Sequence, residues 1–241
     1  MNYPPDQFEV IVVDDGSKVP LLPQDLEEVA NVCSKIQVLR QTQNRGVAVA
    51  LNRALNTVLE RIDYKYIARL DCGDLCVEDR FVKQVSFLDK HPEISLIGSQ
   101  VLFKNFTSGS AYQYQHKQEQ REILREMHFK CSLIHPSILF RRELLTNIGL
   151  YPENYLHCED YAYFYKIIAK HRVQNINEVL LISELSDAGI SSRNRTRQII
   201  SRIRVVNSFG TDSLLKFAGI SKLILMLLIP HRVVRFLNTR R

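Results

Sequence analysis

Short apolar runs alternate with helix-like segments near the start of the chain, and this alternation limits the fold more than any other feature. The apolar, β-branched character of buried strands is found at Phe8 to Val13 (FEVIVV), Lys35 to Arg40 (KIQVLR) and Tyr66 to Leu70 (YIARL). Residues 46–61 carry Ala and Leu at helical spacing, and a helix is also expected at residues 23–33. The sequence therefore predicts an α/β fold in which helices flank a mostly parallel sheet.

Carboxylates follow two of these strands. Asp14 and Asp15 come directly after FEVIVV, and Asp71 and Asp74 come directly after YIARL. In an open α/β sheet, ligands bind in the crevice beyond the carboxyl ends of the strands. We therefore expect these acids to converge on one cleft.

The middle of the chain continues the same pattern. Apolar periodicity predicts strands at residues 94–103 and 137–140, helices at residues 78–90 and 120–129, and a core-facing helix that begins at Glu159. Residues 104–120 are polar and are predicted to form a loop.

The net charge of +6 is distributed unevenly over the 241 residues. Residues 193–241 carry a net charge of +10, with Asp212 as their only acid, and residues 1–192 therefore carry −4. An acidic body with a cationic tail does not fit a uniformly basic nucleic-acid binder, so no nucleic-acid partner is expected. We divide the chain into a domain at residues 1–192 and a basic helical appendage at residues 193–241.

The number of cysteines is odd, and the N-terminus lacks the basic start and apolar core of a signal peptide. These features favour a reduced, cytoplasmic setting. Cys72 and Cys76 lie close together but have no second pair to complete a zinc site, so a soft-metal site there is the weaker alternative.

Five motifs occur in a fixed order, and the ordered set is more specific than any member. They are Asp14-Asp15-Gly16-Ser17, Asn44-Arg45-Gly46, Ala68-Arg69-Leu70-Asp71-Cys72-Gly73-Asp74, His135-Pro136-Ser137 with Phe140-Arg141-Arg142, and Glu159-Asp160-Tyr161. From about residue 6 to 192, the chain resembles the family 2 glycosyltransferases, which use nucleotide sugars and have the GT-A fold. The resemblance implies a nucleotide-sugar donor and a glycan or lipid-linked acceptor.

The resemblance also implies roles for the acids. Asp14 or Asp15 would contact the base or ribose, although capping of the turn is an alternative for both. Asp71 would lie at the ribose and the metal, and Asp74 at the metal. Asp160 would be the base that takes the proton from the acceptor hydroxyl, with Glu159 positioning the acceptor or capping the helix.

Four further residues are candidates for binding the nucleotide sugar. Asn44 and Arg45 precede a helix, where the arginine would contact phosphate or simply face solvent. Arg69 lies in a strand that is otherwise apolar, so its charge needs a partner such as Asp71 or a diphosphate. His135 is either a site residue or a buried histidine that satisfies a loop.

Two departures from the family pattern bear on metal use. Many relatives have Asp-x-Asp-Asp where this chain has Asp71-Cys72-Gly73-Asp74, and the segment at residues 183–187 lacks a histidine that relatives often carry. Magnesium tolerates one or two protein carboxylates when phosphates and waters complete its shell. A divalent cation, Mg²⁺ or Mn²⁺, is therefore still expected at Asp71 and Asp74.

The ends of the chain carry two more expectations. Relatives begin with a strand and a helix before the segment that opens this sequence, and in their sheet that strand lies between the first and third strands seen here. The resemblance therefore implies that the domain at residues 1–192 is N-terminally incomplete. At the other end, residues 223–229 are apolar and arginines follow them at positions 232, 235, 240 and 241. These features suit attachment to an anionic membrane surface, and packing on the domain or on another subunit is the alternative.

Together these features predict an inverting glycosyltransferase. It would move a sugar from a nucleoside diphosphate, most simply a uridine one, to a growing glycan or lipid-linked acceptor in bacterial surface polysaccharide synthesis. The expected location is the cytoplasm, peripheral at the inner face of the plasma membrane. The alternative is a catalytically inactive GT-A-fold protein that serves as a membrane-associated assembly partner.

Overall fold

The computed structural model describes residues 2–185 and 194–229, and it confirms the α/β fold. The strands are β1 (Val10–Asp14), β2 (Ile36–Arg40), β3 (Tyr66–Ala68), β4 (Leu75–Cys76), β5 (Ile94–Lys104), β6 (Ala111–Tyr114), β7 (Leu139–Arg141) and β8 (Arg172–Glu184). The helices are α1 (Glu27–Ala30), α2 (Val47–Leu59), α3 (Arg80–Lys90), α4 (Gln120–Glu126), α5 (Glu143–Ile148), α6 (Glu159–Ile168), α7 (Arg195–Phe209) and α8 (Ser213–Leu228).

The larger sheet is mixed rather than mostly parallel. Its order is β3-β7-β5-β8-β4, with β6 paired to β5 off this path. Within it only β5 and β8 pair in parallel, and β7, β4 and β6 each run antiparallel to their neighbours. The expectation of a mostly parallel sheet is corrected here because β4, β6 and β7 enter from connections that reverse the direction of the chain.

A second, two-stranded sheet consists of β1 and β2 in parallel register. In the described residues, β1 pairs only with β2, and β3 pairs only with β7.

Three strands differ from the sequence-based prediction, and one of them is the two-residue β4, which was not predicted. β6 lies inside residues 104–120, which were predicted to form a loop. Its four residues are all exposed, so the alternation of buried and exposed positions that marks a strand is missing. β8 spans 13 residues and was not predicted, because its Asn, Gln and Glu residues interrupt the apolar pattern.

The core is formed where α6 packs on the larger sheet. Seven of the ten residues of α6 are buried, including Tyr161, Tyr163 and Phe164. On the sheet side, Leu96 of β5 and Val173 of β8 are buried in the same cluster. The expected core-facing helix from Glu159 is therefore present, and its first turn is fixed at the edge of the core.

The C-terminal helices pack on this same core. Ile199, Val205 and Val206 of α7 and Leu223 of α8 are buried. A Cβ atom added at Gly219 would lie 1.9 Å from the carbonyl oxygen of His128, so α8 approaches the backbone at the end of α4 closely. Packing on the domain, one of the two expectations for the tail, is thus observed. The arginines at 232, 235, 240 and 241 lie outside the described residues.

We expect Leu223→Ala to lower the free energy of unfolding by about 2–4 kcal/mol, because the leucine is buried in the core shared with α6. Leu225→Ala, on the same helix but 58% exposed, is the matched control and should cost less than about 0.5 kcal/mol. Urea denaturation of both variants measures the difference. Equal effects of the two substitutions would contradict the packing of α8 on the core.

Candidate active site

The turn after β1 fixes the first two candidate acids in different ways. The Asp14 carboxylate accepts a hydrogen bond from the Ser17 backbone N–H (2.8 Å) and pairs with Arg40 (3.3 Å). The hydrogen bond from Ser17, opposed by burial and assisted by Arg40, lowers the pKa of Asp14. Asp14 therefore caps its own turn, which is the alternative that the sequence left open.

Asp15 joins this turn to the loop before α2. One of its oxygens accepts hydrogen bonds from the Gln41 side chain (2.7 Å) and the Arg45 backbone N–H (2.9 Å), and the other accepts from the Gly46 N–H (2.8 Å). Gly16 has φ +71°, and a Cβ atom there would lie 2.4 Å from the Gln43 carbonyl carbon. The two loops thus touch, and Asn44 and Arg45 are held beside the end of β1.

The second acidic loop follows β3. Arg69 lies just beyond the end of β3 rather than inside it, and its guanidinium pairs with the Asp71 carboxylate. The fully buried Arg80 of α3 donates a hydrogen bond to the Arg69 carbonyl (2.9 Å) and another to the Cys76 thiol (3.3 Å). A buried cation on α3 therefore holds both ends of the loop that carries Asp71 and Asp74.

The end of β8 lies over this loop. The Glu184 backbone N–H donates a hydrogen bond to Asp74 (3.1 Å), and a Cβ atom at Gly73 would lie 2.9 Å from a carboxylate oxygen of Glu184. Burial raises the pKa of Asp74, and the charge of Asp71 adds to the rise. Glu184 carries no local sequence signal, because it reaches this loop only through the tertiary placement of β8.

Glu159 and Asp160 form the first turn of α6, where an N-terminus favours negative charge. Desolvation outweighs this effect: burial raises the pKa of Asp160 to about 6, and the adjacent Glu159 carboxylate adds to the rise. Burial also raises the pKa of Glu159. Six groups interact electrostatically with Asp160: Glu159, Asp71, Arg202, Cys131, Cys158 and Tyr151.

His135 lies in a 3₁₀ turn before β7, and its Nε2 is 2.9 Å from the hydroxyl of the buried Tyr151. Burial holds the pKa of His135 well below its usual range, and the charge of Arg69 lowers it further. The imidazole is therefore neutral, and its partner Tyr151 lies within electrostatic reach of Asp71 and Asp160. Tyr151 carries no local sequence signal, since it reaches the site only through the fold.

Arg202 comes from α7, in the appendage, and it was not among the predicted site residues. Its positive charge lowers the pKa of the Cys158 thiol, against the rise that burial causes, and Cys158 directly precedes Glu159 and Asp160. On the same face of α7, the Gln198 carbonyl lies 3.5 Å from the Cys158 sulfur. The positive charge of Arg202 opposes the rise of the Asp160 pKa that burial causes.

The predicted residues thus fall into two groups. Besides burial, the charge of Asp71 raises the pKa values of Asp74, Glu159 and Asp160, so these four acids share one electrostatic environment. Arg69 and His135 belong to this group. Asp14, Asp15, Asn44 and Arg45 form the second group, at the ends of β1 and β2.

The acids of the β3–β4 loop fit a hard divalent cation. One oxygen of Asp74, Oδ2, is buried and has no hydrogen-bond partner. The carboxylate of Asp71, in the same loop, is half-buried. Among the described residues there is no group of three or more His, Cys, Asp or Glu side chains that would hold a metal ion. Two carboxylates are enough for Mg²⁺ or Mn²⁺ when a diphosphate and waters supply the other oxygens.

Solved structures place this arrangement in the GT-A glycosyltransferase fold. Residues 1–349 of TarS from S. aureus superpose with a TM-score of 0.62 at 18% identity, covering 92% of this chain and 63% of that one. The mannosyltransferase PcManGT from Pyrobaculum calidifontis, solved with GDP-Man and Mn²⁺, gives a TM-score of 0.61 at 20% identity. It covers 86% of this chain, which spans 56% of that structure.

The chain belongs to glycosyl transferase family 2, whose family model matches residues 1–149. A glycosyltransferase of Haemophilus influenzae is 30% identical over 196 residues, which are 79% of this chain and 69% of that protein. The amylovoran biosynthesis glycosyltransferase AmsE of Erwinia amylovora is 27% identical, over 82% of this chain and 72% of its own length. The expected family, fold and transferase class are therefore confirmed.

We expect Asp160→Asn to stabilise the protein at neutral pH. Because the folded-state pKa of Asp160 is raised to about 6, the ionised form is disfavoured in the fold, and this penalty grows as pH rises from about 4 to 6 and is constant above. Removing it should increase the free energy of unfolding by at most about 3 kcal/mol at pH 7.5, and by less at pH 5.

Urea denaturation at both pH values measures this gain, with the exposed Asp6→Asn as the control that should change little. If Asp160→Asn increases the free energy of unfolding equally at pH 5 and pH 7.5, then burial does not raise the pKa of Asp160 as described.

Proposed function

We propose that the protein is an inverting glycosyltransferase that transfers a sugar from a nucleoside diphosphate to a growing glycan or lipid-linked acceptor. The observation that carries the proposal is the shared environment of Asp71 and Asp74 with Glu159 and Asp160, at the carboxyl end of β3 and the first turn of α6. This arrangement provides a place for the diphosphate beside a carboxylate that can accept a proton.

Asp160 acts as the base in this proposal. With a pKa of about 6 it is ionised at neutral pH yet still basic enough to take a hydroxyl proton, which is the range in which general bases work well. The acceptor oxygen then attacks the anomeric carbon from the side opposite the diphosphate, in a single displacement that inverts the centre. Glu159 positions the acceptor.

The donor lies along the two acidic loops. Asp15 and the loop at Asn44 and Arg45 would hold the base and ribose, and Asp71 would contact the ribose. Asp71 and Asp74 would hold a divalent cation, which when bound neutralises charge on the departing diphosphate. Arg69 and the neutral His135 line the same region and orient the donor.

Relatives support the choice of donor and acceptor. One relative, 25% identical over 202 residues, is named as an Escherichia coli UDP-Gal:alpha-D-GlcNAc-diphosphoundecaprenol beta-1,3-galactosyltransferase, and the name of AmsE specifies amylovoran biosynthesis. By analogy we propose a UDP-sugar donor and a role in bacterial surface polysaccharide synthesis at the inner face of the plasma membrane. Every helix in residues 2–185 and 194–229 is too short or too polar to cross a bilayer.

A panel of sugar nucleotides with Mg²⁺ or Mn²⁺ tests the donor. We expect Asp160→Asn to abolish transfer while leaving donor affinity, measured by calorimetry, unchanged, because the base does not hold the nucleotide. Asp74→Ala should weaken metal-dependent donor binding at least tenfold, and Asp6→Asn should behave as the wild type. If the folded wild-type protein binds no sugar nucleotide, this result would favour the alternative of a catalytically inactive assembly partner. Gly73, which stands where many relatives have a further acid, supports that alternative.

The pH dependence of transfer tests the base separately. The rate should fall about tenfold per pH unit below pH 6, as Asp160 becomes protonated. Arg202→Gln should move this acid limb to higher pH, because the arginine favours the ionised carboxylate. The exposed Arg197→Gln, on the same helix, is the control. If Arg202→Gln leaves the acid limb in place, Arg202 does not act electrostatically on Asp160.

A further inference from the structure

The outer face of α8 is apolar and exposed. Leu214, Phe217 and Leu228 are 82%, 75% and 75% exposed, and Ile224 and Leu225 lie beside them. Their spacing of three, four and seven residues puts all five on one side of the helix. The opposite side carries Gly219 and Leu223, which are buried against the domain.

This helix cannot span a bilayer in the fold that is observed. Its 16 residues extend only about 24 Å, less than the roughly 30 Å of a hydrocarbon core, and one side is already packed on protein. An apolar face on a helix of this kind suits the plane of an interface, where the side chains enter the boundary between headgroups and acyl chains.

Cationic side chains stand beside this face. Arg121 and Arg125, one turn apart on α4, line a cavity of about 410 Å³ together with Leu214 and Leu215. Asp212 also lines it, but its carboxylate is occupied by the backbone N–H groups of Leu214 and Leu215. Over the described ranges of the chain, neither arginine forms an ion pair, and both are exposed.

We propose that the outer face of α8 lies on the surface of an anionic phospholipid bilayer, with Arg121 and Arg125 contacting lipid phosphate at its edge. The apolar side chains would enter the boundary of the acyl chains, and the adjacent guanidinium groups would lie at the level of the lipid phosphates. This inference deepens the membrane location given under the proposed function and rests on it, but it does not depend on the sugar-transfer step.

Charge favours a bilayer over a second copy of the chain. Residues 193–241 carry a net charge of +10, and Lys222 lies on the same helix with its ammonium 5.9 Å from the Phe129 ring centre. Two copies that met through this face would oppose like charges, whereas anionic headgroups attract them. The occupant that the face fits is therefore an anionic lipid surface.

Co-sedimentation of the full chain with vesicles tests the surface. We expect pelleting with vesicles of equal parts phosphatidylcholine and phosphatidylglycerol, and little with phosphatidylcholine alone. Leu214→Ser with Phe217→Ser should reduce the apparent affinity at least tenfold, and Arg121→Gln with Arg125→Gln should reduce it several-fold, more at low salt than at high salt.

Matched controls separate these effects from general changes of surface. Val19→Ser with Ile62→Ser removes two equally exposed apolar residues far from α8 in sequence, and Lys170→Gln with Arg172→Gln removes two other exposed cations. Both controls should pellet as the wild type does. Circular dichroism and thermal melting confirm that every variant is folded.

Three results would overturn the proposal. The wild-type protein could stay in the supernatant with the anionic vesicles, or the Leu214→Ser/Phe217→Ser variant could pellet fully. In the third, sedimentation equilibrium shows a wild-type dimer that this variant dissociates. The vesicle measurement contains no sugar nucleotide. Pelleting without transferase activity would therefore support the surface while contradicting the proposed function.

Discussion

The long parallel pairing of β5 with β8 is the constraint on which the rest of the molecule depends. It joins Ile94–Lys104 to Arg172–Glu184, and the other strands of the larger sheet are placed relative to it. β7 lies on the other side of β5 and carries β3, whose end leads to Asp71 and Asp74. β8 ends at Glu184, against that same loop. The acidic loop is thus held from both sides of the sheet.

The carboxylates of the site repel one another, and the fold compensates the charge of some of them but not of others. Asp15 is surrounded by N–H donors and Asp71 is paired with Arg69, whereas Asp160 is desolvated next to Glu159. The same type of side chain therefore takes different roles in different environments. Some of these carboxylates cap turns or pair with cations, whereas the carboxyl of Asp160 has a pKa of about 6. Such separation of pKa values is typical of sites that move protons.

The C-terminal helices take part in both the core and the site. α7 buries Ile199, Val205 and Val206, and its Gln198 carbonyl lies 3.5 Å from the Cys158 sulfur, beside the first turn of α6. The charge of Arg202 acts on the same turn. α8 buries Leu223 and presents its other side outward. The charge of residues 193–241 distinguishes them from the rest of the chain, yet residues 194–229 pack on the domain. Only the outward side of α8 remains available to a partner.

Local patterns in the sequence indicated much of this protein. Strands that end in Asp14 and Asp71, a core-facing helix that begins at Glu159, and the order of the family motifs are properties of neighbouring residues, so the α/β fold and the family followed from them. The sequence could not indicate β8, whose polar residues hide its pairing with β5, or the exposed β6.

The candidate site divides in the same way. Its acids belong to recognisable motifs, whereas Tyr151, Glu184 and Arg202 meet those acids only because distant segments pack together. The tertiary structure also decided that Asp14 caps a turn while Asp160 is desolvated. The physical reason is that a hydrogen-bond partner or the loss of water at a carboxylate depends on residues far away in the chain, and no local pattern encodes them.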